Sequence, residues 1–155
     1  MPLATPCRVL LFLAALFACL PSASAQQPQL APPFSLTLEV LTDTRGADLR
    51  PFLEGLYKSV KTKAMQTLPK SVAEGEQGTV VLQLRLLKNG KLAVLPRIIR
   101  SSNKKALDHA AVAAIRGAVP FDHLPDSAPA PIELALTFYY NVPPPPARDA
   151  ALPES

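Results

Sequence analysis

Four stretches of the chain place apolar residues at every second position. In residues 34–41, Phe34, Leu36, Leu38 and Val40 fall on one face and Ser35, Thr37 and Glu39 on the other, as in a half-buried strand. Residues 79–87 and 91–99 alternate in the same way, and Lys88-Asn89-Gly90 lies between them. The Asn-Gly pair predicts a two-residue type I′ hairpin, because both central residues of that turn take positive φ. On this reading Val80, Leu82, Leu84 and Leu86 face the same way as Leu92, Val94, Pro96 and Ile98. Pro96 cannot donate to a ladder, so the second hairpin strand should lie at a sheet edge. Residues 132–140 alternate again. Ile132, Leu134, Leu136, Phe138 and Tyr140 point inward, and Glu133, Ala135, Thr137 and Tyr139 point outward.

Two further segments repeat at helix spacing. Asp48 is a candidate N-cap for a helix over residues 48–65, whose stripe is Leu49, Phe52, Leu53, Leu56, Tyr57, Val60 and Ala64. Pro51 sits in its first turn, where a missing N–H costs nothing, and Pro69 closes it. The second helix spans residues 103–117, with Ser102 or Asn103 as cap and Gly117 at its end. Its face is Leu107, Ala110, Ala111, Ala114 and Ile115, and Asp108 braces the helix start or the loop before it. The order β-α-β-β-α-β predicts a two-layer α+β domain over residues 34–142, with an antiparallel sheet and two helices on one face.

The ends of the chain read differently. Residues 1–25 have the parts of a secretory signal: Arg8, a twelve-residue apolar run, and Ala23-Ser24-Ala25. Cleavage is expected between Ala25 and Gln26, which leaves 130 of the 155 residues. The apolar run is short of the roughly 20 residues that a span needs, although a retained signal would still anchor the chain. Leu16-Phe17-Ala18-Cys19 offers a lipoprotein alternative, weakened by the bulk of Phe17. Both cysteines, Cys7 and Cys19, lie in this segment, so the exported chain would carry no thiol. Residues 26–33 form a Pro-rich lead and residues 143–155 a Pro-rich tail. Four consecutive prolines at 143–146 could serve an SH3-like groove, but a spent tail explains them more simply.

Charge adds little. The chain carries +4, or +3 once Arg8 is removed, and Lys58, Lys61, Lys63 and Lys70 suit the solvated side of a helix and its exit. Basic residues are not interleaved with aromatics, which argues against nucleic acid. Catalysis would have to come from Asp108-His109 and Asp122-His123, with Ser101 or Ser102 as nucleophile. Adjacent helix residues point about 100° apart, so Asp108 cannot orient His109 as a triad acid would. No metal, cofactor or enzyme motif accompanies these residues, and both histidines read as surface positions.

Gly78-Thr79-Val80-Val81, Lys88-Asn89-Gly90, Ser101-Ser102, Leu107-Asp108 with Ala110-Ala111 and Ala113-Ala114-Ile115, Pro120-Phe121 and Leu124-Pro125 together resemble the C-terminal domain of TonB energy transducers. The ending Phe138-Tyr139-Tyr140-Asn141 is similar to a subgroup of these domains. The resemblance spans residues 78–142, and residues 34–69 resemble an extra strand and helix that precede the domain in that subgroup. It implies a periplasmic binding module that takes a peptide of an outer-membrane or envelope protein as an added strand on its last strand. Glu133, Ala135, Thr137 and Tyr139 would then lie on the partner-binding edge strand. No cofactor is implied. A free edge would also permit a homodimer. Asn103 stands where Gly often follows the serine pair, and Ala64 where Trp is common. A transducer's anchor helix and long spacer have no counterpart in these residues, so the resemblance supports binding more than force transduction.

Overall fold

The computed structural model describes residues 32–146. Its elements run β1 (Phe34–Val40), α1 (Arg50–Gln66), α2 (Lys70–Ala73), β2 (Gly78–Leu86), β3 (Arg97–Arg100), α3 (Lys105–Ala118) and β4 (Ile132–Tyr140). The four strands form one antiparallel sheet in the order β1-β4-β2-β3. The alternation seen in the sequence is the inside–outside pattern of this sheet. Val80, Leu82, Leu84 and Leu86 of β2 and Ile132, Leu134, Leu136 and Phe138 of β4 are wholly buried. They pack in one core with Phe52, Leu56, Val60 and Ala64 of α1 and Leu107, Ala111, Ala114 and Ile115 of α3.

The alanines on α3 leave little bulk between its backbone and its neighbours. Accordingly α3 packs against both α1 and β2. Pro51 occupies the first turn of α1 as expected, while the cap differs. Leu49 is the capping residue and makes no side-chain bond, and Asp48, one position earlier, accepts the Arg50 N–H at 3.1 Å. At α3 the capping position is Lys104, again without a side-chain bond. Asn103 takes φ +61°, a left-handed conformation that asparagine tolerates better than most residues. Gly117 lies inside α3 rather than ending it. The four-residue α2 is too short to show a period in sequence.

The hairpin departs from the type I′ expectation. The Leu87 N–H donates to Lys91 O, and the Gly90 N–H donates to Leu87 O, so three residues form the loop. Gly90 has φ +73° and Asn89 is not at positive φ, which is a type I turn closed by a left-handed glycine. The second hairpin strand is also shorter than its alternation. Leu92 forms an isolated bridge with Leu86, and regular pairing resumes only at Arg97, after Pro96. As expected, β3 is an edge strand. Its apolar side chains are nevertheless not core: Val94, Leu95, Ile98 and Ile99 are exposed. The helix layer meets the sheet mainly at β1 and β2, so β3 lies beyond its cover.

Candidate functional site

Strand addition needs an edge whose backbone groups are unpaired, so the edges decide where a partner can dock. The expectation that β4 presents the free edge is corrected here. β4 lies inside the sheet, paired with β2 on one side and with all seven residues of β1 on the other. The bonds Leu41 N–H to Glu133 O and Asn141 N–H to Pro33 O mark two hydrogen-bonded pairs at the ends of that ladder. Hydrogen-bonded and non-bonded pairs alternate in an antiparallel ladder. Glu133, Ala135, Thr137 and Tyr139 therefore aim their N–H and C=O groups at β1, and β1 takes the bonds a partner strand would have made. Alternation along a strand shows that it is half-buried but not which strand lies beside it, so the sequence leaves open whether the first strand caps this edge.

β1 is firmly seated. Phe34 and Leu36 are 5% exposed, and the Phe34 ring lies 5.9 Å from Phe138 and 5.6 Å from Tyr140, centroid to centroid. Thr42 Oγ accepts the Glu133 N–H at 2.8 Å just beyond the strand. Burial of two such side chains is worth about 1.5–3 kcal/mol each.

Among the described residues two edges remain open. The outer edge of β3 is four residues long and carries a register shift against β2 between Val81 and Leu82. Two arginines, Arg97 and Arg100, flank its isoleucines. Short length, irregular pairing and charge are the devices by which edges resist pairing. The outer edge of β1 is longer and regular: seven residues in unbroken register with a single charged side chain, Glu39, and with the backbone groups of Phe34, Leu36, Leu38 and Val40 directed away from β4. Beside it, between β1 and α1, runs a groove of about 410 Å³ lined by Leu38, Arg50, Leu53, Glu54, Tyr57 and Lys58.

Of the polar residues weighed for catalysis, Ser101, Ser102 and Asp108 form a brace. Ser101 Oγ donates to one oxygen of Asp108, and the Ser102 N–H and Oγ donate to the other at 2.9 and 2.8 Å. Burial raises the Asp108 pKa, but these hydrogen bonds outweigh it and hold the carboxyl below its usual value. The second role expected for Asp108, bracing the loop before α3, is the one observed. His109 and His123 are exposed and belong to no group of three potential metal ligands among the described residues.

Residues 69–142, from α2 to the end of β4, match the family described as Gram-negative bacterial TonB protein C-terminal. This part of the chain belongs to the TonB C-terminal family. Neither a curated protein nor a solved structure matches the chain. TonB C-terminal domains are envelope-associated, non-enzymatic interaction domains that engage outer-membrane proteins. The strands of the TonB C-terminal unit taken alone would be ordered β4-β2-β3, with β4 at the edge, as the resemblance implied. β1 and α1 precede the matched residues, and β1 closes that edge. No helix among the described residues is long and apolar enough to cross a membrane. The Ala25–Gln26 cleavage site and Cys19 lie outside the described residues.

Proposed function

We propose that this chain is exported across the inner membrane, loses its signal between Ala25 and Gln26, and acts in the periplasm as a TonB-like interaction module. It takes an extended peptide of an outer-membrane or envelope transport protein as a fifth strand on the outer edge of β1. One observation carries the reading: β1 covers the β4 edge and offers a regular seven-residue edge of its own in exchange. Main-chain hydrogen bonds would supply the affinity, as in other strand-addition complexes. The seating of Phe34 and Leu36 in the core favours addition outside β1 over its displacement from β4.

The test is to isolate envelope segments that bind the protein and titrate them against Val40→Pro. Val40 directs its N–H to the free edge, so proline there removes a donor from the partner's ladder and leaves the β1–β4 bonds intact. Loss of binding in a variant with an unchanged circular dichroism spectrum is the expected result. Wild-type affinity in the folded variant would overturn the reading. A second reading, an anchored transducer with its signal retained, is separated by mass spectrometry of the mature N-terminus, which should begin at Gln26.

A further inference from the structure

Resting on the strand-addition reading above, we propose that the groove between β1 and α1 is a specificity pocket that selects one side-chain pattern. The peptide it fits carries a large apolar residue opposite Leu38 and a carboxylate two positions away. A strand added to β1 lies about 4.8 Å beyond it and sends every second side chain toward the helix layer. Those side chains arrive beside Leu38, where the groove opens.

Leu53 and Tyr57 lie one turn apart on the flank of α1 next to the buried stripe Phe52, Leu56 and Val60. Both pack against the core yet remain half-buried, and no described element covers them on the groove side. An incoming leucine, isoleucine or phenylalanine would complete their burial. Polar groups stand around this apolar floor. Arg50 is tied to Asp48 at 3.0 Å, which leaves Lys58 beside Glu54 on the groove wall. Lys61 Nζ lies 5.7 Å from the centre of the Tyr57 ring. Lys58 and Lys61 thus flank Tyr57 at one end of the groove, with Glu54 a turn away, and a carboxylate in the same row of side chains meets the two lysines. A second copy of the chain fits less well, because its own β1 would bring only Phe34, Leu36, Leu38 and Val40 to this side.

The experiment titrates the protein with three synthetic decapeptides by fluorescence anisotropy and maps each by amide chemical shifts. The first has a central leucine with glutamate two residues to each side and threonine elsewhere. The second replaces the leucine with alanine, and the third replaces both glutamates with lysine. The first peptide should bind at least about tenfold tighter than either other peptide, the ratio set by burying one leucine or meeting one opposite charge. Tyr57→Ala should weaken the first peptide but not the alanine peptide, and Lys58→Glu should reverse the preference between glutamate and lysine peptides. Val40→Pro should weaken all three. If all three bind equally, shift β1 amides and lose binding in Val40→Pro, strand addition stands and the pocket is wrong. Shifts confined to Arg97–Arg100, a concentration-dependent dimer that excludes the peptides, or no binding by the first peptide would also overturn the pocket.

Discussion

Gly90 is placed by two demands at once. Its φ of +73° closes the hairpin, and a Cβ there would sit 2.1 Å from Phe121 O, because the turn lies against the loop that returns to β4. The Phe121 N–H donates to Gly90 O and the Leu124 N–H to Lys88 O, so turn and loop share hydrogen bonds. Gly90→Ala should therefore cost more than the roughly 1–2 kcal/mol of the left-handed conformation alone, read as a lowered urea midpoint. A cost below about 1 kcal/mol would show that the turn does not lean on the loop. The Asn-Gly signal was legible in sequence, but the turn type was not, since the loop across from it selects the three-residue form. At Asp108 the folded carboxyl has the lowered pKa. Its contribution is thus present above the ordinary value of 3.8 and is lost as pH falls through the folded value. Asp108→Asn should lower stability at neutral pH and flatten its fall below about pH 4. An equal acid dependence in wild type and variant would remove the brace from the account.

Among the elements, each strand's existence could be read from its alternation, whereas its depth depends on what lies over it. Leu136 of β4 and Ile98 of β3 both fall on the core side of the sheet, yet one is fully buried and the other 39% exposed. Leu136→Ala should cost about 2–5 kcal/mol, and Ile98→Ala no more than about 1 kcal/mol, in urea unfolding. Similar losses would mean that β3 is covered after all. Pro96 correctly marked an edge strand. The run of alternating residues beyond it overstated the buried face, because period alone does not reveal where a helix layer stops. Thr137→Pro, a natural probe if β4 were an edge, would here break a bond between β4 and β1 and destabilise the fold.

At the scale of the whole molecule, a TonB C-terminal unit over residues 69–142 has its β4 edge closed by the preceding β1. The two-layer architecture and the helix faces were legible because periods of 2 and 3.6 persist over many residues in this chain. The order of strands was not, because β1 joins β4 across about a hundred residues and leaves no local mark in either segment. The outer edge of β1 is the proposed site of strand addition. Amide hydrogen exchange on β1, measured with and without a bound envelope segment, tests this most directly. In the free protein Ser35, Thr37 and Glu39, which bond to β4, should exchange slowly, and Leu36, Leu38 and Val40 quickly. Binding should slow the second set and leave the first protected. Faster exchange at Ser35, Thr37 and Glu39, as a partner displacing β1 would cause, or slowing confined to Arg97–Arg100, would contradict it.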